Sequence, residues 1–253
     1  MTTGHRDAAP ARRTEPAARP VVTFDEGPAA GETYLLVHGI GVSSRYFERL
    51  APVLAAHGRT IGIDLPGFGR APRPSHPYTV DDFAAVLARL LDELGLRRCV
   101  VVGHSMGTQV AARLAVTRPD LVARLVLIGP VMAPRDRTPL RAGWRLLLDT
   151  LRERPRSNRI VIGDYLRCGP RWYLAVLPSM LAHRLESELA RIDVPVQLIR
   201  GERDPIARGG WVAALARIAR RGSALTVPGA PHVVMHARPH AVGRAIAAAR
   251  QEE

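Results

Sequence analysis

The segment Gly103-His104-Ser105-Met106-Gly107 places one serine between two glycines, directly after an apolar run and directly before a stretch of small residues. This G-x-S-x-G order is typical of a strained strand-to-helix turn that exposes a nucleophilic hydroxyl. Glycines at 103 and 107 leave room where larger side chains would collide with the neighbouring strand and helix. The N-terminus of the following helix adds positive partial charge beside a developing oxyanion. Ser105 is therefore the predicted nucleophile.

A serine hydroxyl needs a general base, which is most often a histidine oriented by a carboxylate. Nine histidines are present, and His232 is the preferred one because it follows the last predicted strand on a loop rich in glycine and proline. A base in that position can overhang the serine turn. The alternatives His236 and His240 come later, near or inside the terminal helix, where they are expected to pack or face solvent. His104 is expected to point away from Ser105.

Asp204 is the predicted acid because it stands directly beyond the predicted strand 196–200, on a turn closed by Pro205. From there its carboxylate can reach the histidine loop, which lies one strand away. Asp64 also ends a predicted strand, but the ordinary role of such a side chain is to bind backbone amides of the turn. Asp136 lies well inside the segment that follows strand 125–128, which makes it a weaker candidate.

Attack on a carbonyl creates an oxyanion, which is typically stabilised by two backbone N–H groups that already point at its position. Met106 is expected to supply one of them at the start of its helix. The second is expected from the sequence HGIGVSS after the predicted strand 34–37, where glycines let the backbone approach closely. Ile40 is the predicted donor and Gly41 the alternative. His38 is expected to bond within this loop.

Strand-like and helix-like segments alternate from residue 33 onward, which predicts an α/β fold with a mostly parallel central sheet and helices on both faces. The predicted strands are 33–39, 59–69, 99–102, 125–128, 196–200 and 224–227. The predicted helices on either side of them include 44–56, 106–118, 211–220 and a last one at about 239–250. A chain of 253 residues in this class commonly forms one core.

The segment 129–192 has a different composition, with six prolines, three predicted helices and two of the three tryptophans. It is too long for a plain loop, so we predict a helical lid inserted into a core formed by residues 21–128 and 193–253. Residues 1–20, dominated by Ala, Pro, Arg and Thr, are predicted to be a disordered N-terminal tail.

The formal net charge of +13 raises the question of a nucleic-acid partner, but all 36 basic residues are arginines and they are spread along the chain without a block. We therefore expect no nucleic-acid partner.

No apolar run is long enough for a membrane span, and no signal-peptide core is present, so a cytoplasmic location is expected. The two cysteines predict neither a disulfide framework nor a metal site. The oligomeric state is not predicted.

Five segments in this order carry a family resemblance: LLVHGIG, IDLPGFGRAPRP, VVGHSMGTQVA, IRGERDPI and PGAPHVVMHARP. Over roughly residues 20 to 250 the chain resembles the α/β-hydrolase superfamily, in the branch with a helical lid between strands six and seven. The resemblance implies Ser105 as nucleophile, Asp204 as acid and His232 as base, with no cofactor, no metal and a pocket between sheet and lid.

The chain departs from many members of that family at two places. The four residues that end at the base are Gly-Ala-Pro-His, where many relatives have Gly-x-Gly-His. The segment before residue 33 is short, so PVVTFDEG is expected to provide only one of the usual leading strands. Neither departure removes a residue that the predicted chemistry needs.

Together these residues predict hydrolysis of a carboxylic ester, lactone or thioester of a medium-sized apolar small molecule through an acyl-enzyme. Non-hydrolytic or C–C bond chemistry at the same site is the alternative (lyase, acyltransferase, cyclase or C–C hydrolase), and a non-catalytic binding protein is the third hypothesis. Eleven arginines against six acids between 131 and 190 favour an anionic substrate, unless those arginines are simply solvated. The predicted substrate contacts, several of which could instead seal the lid, are Gly41, Trp144, Leu148, Trp172, Tyr173 and Leu177.

Overall fold

Seven strands form one sheet in the computed structural model, which describes residues 18–153 and 155–249, apart from the side chain at position 142. The strands are β1 (Val21–Glu26), β2 (Glu32–Val37), β3 (Gly58–Asp64), β4 (Cys99–His104), β5 (Val122–Ile128), β6 (Val196–Gly201) and β7 (Gly222–Val227). Their order in the sheet is β1-β3-β2-β4-β5-β6-β7. β1 pairs antiparallel with β3, and every other neighbouring pair is parallel. The predicted mostly parallel α/β sheet is confirmed.

The helices of the described residues fall before, between and after the strands of this sheet. They are α1 (Ala51–Ala55), α2 (Val80–Glu93), α3 (Met106–Thr117), α4 (Pro139–Arg152), α5 (Pro155–Cys168), α6 (Pro170–Ala182), α7 (Leu185–Leu189), α8 (Gly209–Ile218), α9 (Val234–Ala237) and α10 (Pro239–Ala248). The predicted helix 44–56 is wrong as one element, because it divides into a 3₁₀ turn at Ser44–Phe47 and α1. Pro52 lies in the first turn of α1, where a missing N–H is tolerated, whereas inside one helix over 44–56 it would remove an intrahelical hydrogen bond.

Alternate side chains of the parallel strands enter two separate core layers. In β2, Leu35 and Val37 belong to one layer, and Tyr34 and Leu36 belong to the other. Helices α2, α3 and α8 contribute to the first layer, and α1, α9 and α10 contribute to the second. Burial on both faces explains the continuous apolar runs of these strands.

Among the described residues before β2, one strand forms, β1, which lies within the segment PVVTFDEG that was expected to provide one. Of the predicted tail 1–20, residues 1–17 lie outside the described residues. The first described residue, Ala18, donates its N–H to the Tyr78 hydroxyl at 3.0 Å. The described chain therefore begins in contact with the core.

Residues 129–192, which we call the lid segment, connect β5 to β6 and contain α4 to α7. The Gln109 side-chain amide of α3 donates to the carbonyl oxygens of Met180 and His183, at 2.8 and 3.2 Å, and so ties the end of this segment to the core. No helix among the described residues is long and apolar enough to cross a membrane. The loops after β2, β4, β6 and β7 lie at the carboxyl edge of the sheet, where α/β proteins place their sites.

Candidate active site

Ser105 forms the turn between β4 and α3, and its backbone has φ 53° and ψ −120°. A non-glycine residue in such a conformation stores about 1–3 kcal/mol of strain, which the packing around it must offset. A Cβ on Gly103 would collide with the carbonyl oxygen of Gly107, and a Cβ on Gly107 would collide with that of Val37. The space around the turn therefore requires both glycines of the motif.

His232 and Asp204 form a buried pair beside this turn. The imidazole Nδ1 lies 2.7 Å from Asp204 Oδ2, while Asp204 Oδ1 accepts the N–H groups of Ile206 and Ala207 at 2.7 and 2.9 Å. The second pair of bonds fixes the carboxylate in its turn. Because Nδ1 is engaged by the acid, Nε2 is the ring nitrogen that remains to act as a base.

A buried arginine builds the turn that carries the acid. Arg200, at the end of β6, donates Nε to the carbonyl oxygen of Ala207 at 2.6 Å and a terminal nitrogen to that of Glu202 at 2.8 Å. Its two bonds hold the turn from both sides of Asp204. A buried guanidinium with several backbone acceptors is a rigid support, because its fork geometry is preorganised.

The electrostatics of this pair favour a charged imidazole. Burial works to lower the pKa of His232, but the charge and hydrogen bond of Asp204, together with the charges of Asp149 and Glu153, outweigh it and raise the pKa to about 9. An opposite charge at hydrogen-bond distance stabilises the protonated form. The same field stabilises an imidazolium that forms when the base accepts a proton.

Ser105 and His232 line one cavity of about 40 Å³. Its floor includes Gly39 and Ile40 from the loop after β2, and the lid segment covers it. The lid side chains that line it are Leu146, Asp149, Val161 and Tyr165. Ser105 and His232, which are more than one hundred positions apart in the chain, therefore line the same cavity, and Asp204 contacts His232 from behind it.

Two backbone N–H groups beside Ser105 suit the predicted oxyanion hole. Met106 is the first residue of α3, and Ile40 lines the cavity. Neither N–H has a hydrogen-bond acceptor within the described part of the chain. A Cβ on Gly39 would lie 3.0 Å from Ser105 Cβ, so this loop packs directly against the serine. Unengaged donors at this place can stabilise negative charge on a carbonyl oxygen.

In a comparison with known protein families, the family model described as the alpha/beta hydrolase fold matches residues 34–166. The chain belongs to the α/β-hydrolase family. Among curated relatives, it is 32% identical over 211 residues to RutD of Variovorax paradoxus (strain S110), to which carbamate hydrolysis is ascribed. That match covers 80% of this chain and 73% of RutD.

Two further proteins are similar to this chain, one in sequence and one in structure. It is 42% identical over 113 residues to the lipase LipV of Mycobacterium tuberculosis (strain ATCC 25618 / H37Rv), which covers 42% of this chain and 40% of LipV. A thermophilic esterase from Thermogutta terrifontis has a TM-score of 0.80 at 24% identity, covering 93% of this chain and 94% of the esterase. The structural match shows the shared fold.

His104, the residue before the serine, supports the base loop of the hydrolase. Its Nε2 lies 3.2 Å from the carbonyl oxygen of His232, and its Nδ1 lies 2.9 Å from the Tyr46 hydroxyl. Burial lowers the pKa of His104 well below its usual value, so the ring is neutral. A carbonyl can only accept, so Nε2 carries the proton and Tyr46 donates to Nδ1. Sequence analysis did not identify this role for His104 or Tyr46.

Helix α4 of the lid segment touches both loops of the acid–base pair. Asp149 accepts the N–H of His232 at 3.3 Å, and Glu153 accepts the N–H of Val233 at 2.6 Å. Arg145 donates to the carbonyl oxygen of Pro205 at 2.6 Å, on the acid loop. Burial, together with the charge of Asp204, raises the pKa of Asp149 to about 6 against the lowering effect of His232. In the sequence, the only sign of this arrangement is that Asp149 and Glu153 are one helical turn apart, which places them on the same side of the chain.

The side chains weighed as alternatives are engaged elsewhere. Asp64 accepts the N–H groups of Ser44 and Arg70, both at 2.8 Å, which is the turn-stabilising role expected for it. Asp136 pairs with Arg145 at 2.8 Å. His38 lies 2.7 Å from the carbonyl oxygen of Gly39 and accepts the Leu65 N–H at 2.9 Å, which is the bonding predicted within its loop. His236 is buried beside Ser157, and His240 is exposed. None of these side chains lines the cavity.

None of the predicted substrate contacts lines the cavity, and one of them, Tyr173, lines a neighbouring groove. Trp144 is 61% exposed and lies on the outer face of α4, because the inner face of that helix carries Leu146 and Asp149. Trp172 and Leu177 are buried in the first core layer, and Leu148 is half-buried. None of these four, nor Gly41, lines the cavity. Gly41 packs against the rings of Tyr165 and Tyr173, and Tyr173 lines a neighbouring groove.

The described residues hold no group of three or more His, Cys, Asp or Glu side chains that could bind a metal ion. Cys99 and Cys168 are both unpaired and buried. Burial raises the pKa of Cys99 to about 11, which keeps its thiol protonated near neutral pH.

Proposed function

We propose that this α/β hydrolase cleaves carboxylic esters, lactones or thioesters of a medium-sized apolar small molecule through an acyl-enzyme on Ser105. The observation that carries the proposal is the buried His232–Asp204 pair, at 2.7 Å, on the wall of the cavity that contains Ser105. A binding protein would have no need of an imidazole held by a carboxylate beside a strained serine.

The proposed reaction proceeds in two steps. His232 Nε2 accepts the proton of the Ser105 hydroxyl while Oγ attacks the carbonyl carbon, and the oxyanion lies against the N–H groups of Ile40 and Met106. The imidazolium then donates its proton to the leaving oxygen or sulfur as the bond to the acyl carbon breaks. In the second step His232 takes a proton from water, the resulting hydroxide attacks the acyl-enzyme, and Ser105 recovers its proton.

An apolar groove beside the cavity supports the preference for an apolar substrate. It has a volume of about 330 Å³ and shares Leu146 and Tyr165 with the cavity. The other lining residues are Ile162, Leu166, Gly169, Pro170 and Tyr173. The cavity alone is too small for such a substrate, so the apolar part of the molecule extends into the groove when it binds.

The side chains at the cavity favour a neutral acyl group over the anionic one that the arginine content suggested. Within the described chain the cavity lining includes no arginine, whereas Asp149 contributes a carboxylate. A substrate carboxylate placed there would meet like charge at short range. The described arginines of the lid segment bind carbonyl oxygens or carboxylates away from the cavity, or lie exposed.

The proposal is tested with p-nitrophenyl esters of graded chain length and with a fluorophosphonate, followed by mass spectrometry of the adduct. We expect turnover and a single adduct on Ser105, both lost in Ser105→Ala. A carbamate and a C–C cleavage substrate in the same panel test the activity ascribed to RutD and the alternative chemistry. Absence of both turnover and label on Ser105 in the folded protein would contradict the proposal.

A further inference from the structure

One face of helix α4 is apolar and uncovered. Leu140, Trp144, Leu147 and Leu151 are 85%, 61%, 51% and 75% exposed, and their spacing of four, three and four residues places them on one stripe. The opposite face of α4 carries Leu146 and Asp149, which cover the candidate site. A helix of a globular protein normally turns such a stripe toward the core, and here the core side is already occupied.

The exposed apolar surface continues onto the next two helices. Ile162 and Leu166 of α5 and Leu174 of α6 are exposed as well. Ile162 and Leu166 also line the apolar groove that shares Leu146 and Tyr165 with the Ser105 cavity. Uncovered apolar side chains grouped in this way mark a site of interaction. We call the exposed side chains of α4, α5 and α6 the outer lid face.

Charges on the outer lid face have one sign. Asp149, Glu153 and Asp164, the carboxylates between 139 and 171, are all buried. They point inward, to the N–H groups of His232 and Val233 and to the Ser43 hydroxyl. The described arginines that remain exposed over the same range are Arg141, Arg152, Arg156, Arg159, Arg167 and Arg171. The three helices thus expose leucines, a tryptophan and arginines but no carboxylate among their described residues, and the nearby exposed carboxylate of Glu48, which lines a groove with Arg156 and Arg159, lies outside the lid segment.

We propose that the outer lid face docks on an anionic lipid surface. Leucine and tryptophan side chains on one face of a helix enter the headgroup region of a bilayer, while flanking arginines extend to lipid phosphates. A second copy of the chain is a poorer occupant, because pairing this face with itself would bring two sets of arginines together. Entry of an acyl chain from that surface through the groove rests on the proposed function, whereas docking does not.

The test measures co-sedimentation of the full chain, carrying Ser105→Ala, with vesicles of phosphatidylcholine alone or of equal parts phosphatidylcholine and phosphatidylglycerol. We expect binding to the anionic vesicles with a blue shift of tryptophan emission. Replacing Leu140, Leu147 and Leu151 together by serine should weaken this binding at least about tenfold. Leu94→Ser with Ile218→Ser, which changes exposed apolar residues outside the lid segment, is the matched control and should leave binding unchanged.

The cationic contribution is tested in the same assay. Arg156→Gln, Arg159→Gln and Arg171→Gln together should remove the preference for anionic vesicles, whereas Arg217→Gln, Arg221→Gln and Arg238→Gln should keep it. Equal sedimentation with and without vesicles, or binding unaffected by the leucine variant, overturns the proposal. So does a dimer in sedimentation velocity that the leucine variant dissociates. Hydrolysis of a water-soluble ester by the unsubstituted chain is measured separately, so failure of docking and failure of the proposed function are distinguishable.

Discussion

Asp204 is the residue whose two carboxylate oxygens have separate tasks. One accepts two backbone N–H groups of its own turn, and the other faces His232 Nδ1 at 2.7 Å. The first task fixes the position of the side chain, and the second selects the tautomer in which Nε2 can accept a proton. The two tasks can be separated by a substitution that keeps the shape of the residue.

Asp204→Asn should lower kcat for a p-nitrophenyl ester by about 10³–10⁴-fold with little loss of stability. The amide oxygen can still accept the turn N–H groups, but the amide nitrogen would donate to His232 Nδ1 and force the wrong tautomer. Kinetics and thermal unfolding of both proteins check this prediction. Activity within tenfold of the unsubstituted enzyme would move the acid to another residue.

The pH dependence follows from the carboxylates around His232. The imidazole must be neutral to accept a proton, and its pKa is raised to about 9, so kcat/KM should increase with pH up to that value. Asp149→Asn removes one of the negative charges that raise the pKa of His232, and it should move the rise in kcat/KM to lower pH by up to about one unit. Asp193→Asn, an exposed site, is the control. An identical profile in Asp149→Asn and the unsubstituted enzyme would exclude this coupling.

At the scale of elements, the strand–turn–helix unit around Ser105 depends on close backbone approach. β4 and α3 are buried along most of their length, so neither can move to relieve a clash. Positions 103 and 107 therefore require glycine because backbone atoms already fill the space that a Cβ atom would occupy. Gly143 in α4, Gly163 in α5 and Gly210 in α8 have no such constraint, because no heavy atom lies within 4 Å of a Cβ built there.

Gly107→Ala should destabilise the protein by more than about 2 kcal/mol, because its methyl group would meet the Val37 carbonyl oxygen. Gly163→Ala in α5 has no heavy atom within 4 Å of the new Cβ and should stabilise by up to about 1 kcal/mol. Denaturant unfolding of the two variants checks the contrast. Equal stabilities would show that the turn can relax.

At the scale of the whole molecule, the lid segment both covers the site and holds it in shape. α4 bonds to the base loop through Asp149 and Glu153 and to the acid loop through Arg145. The cavity beneath it has a volume of about 40 Å³ and shares Leu146 and Tyr165 with the apolar groove. Any displacement of α4 during substrate binding would strain the bonds that position the acid–base pair.

Leu146 separates the cavity from the groove, and its neighbour Leu147 faces outward. Leu146→Ala should raise kcat/KM for long-chain relative to short-chain p-nitrophenyl esters several-fold, because it widens the passage between the two spaces. Leu147→Ala should leave the ratio unchanged when the esters are in free solution. An unaltered chain-length preference in Leu146→Ala would place the acyl group outside the groove.

Local pattern alone predicted the α/β class and placed the candidate nucleophile, acid and base after β4, β6 and β7. Strand ends, glycines and turn residues are short-range features, and parallel strands bring their carboxyl ends to one edge of the sheet. His104 and Tyr46 could not be assigned in the same way, since their bonds join residues that are 128 and 58 positions apart.

The orientation of α4 was decided only by the tertiary structure. Its apolar stripe, taken by itself, does not say whether that face meets solvent or the site, and Trp144 was predicted as a substrate contact. In the folded chain the inner side is taken by Leu146, Asp149 and Glu153, which bond or pack at the site. Periodicity specifies that a helix has two unlike faces, but which of them is buried depends on the hydrogen-bond donors and apolar surface that the rest of the fold presents.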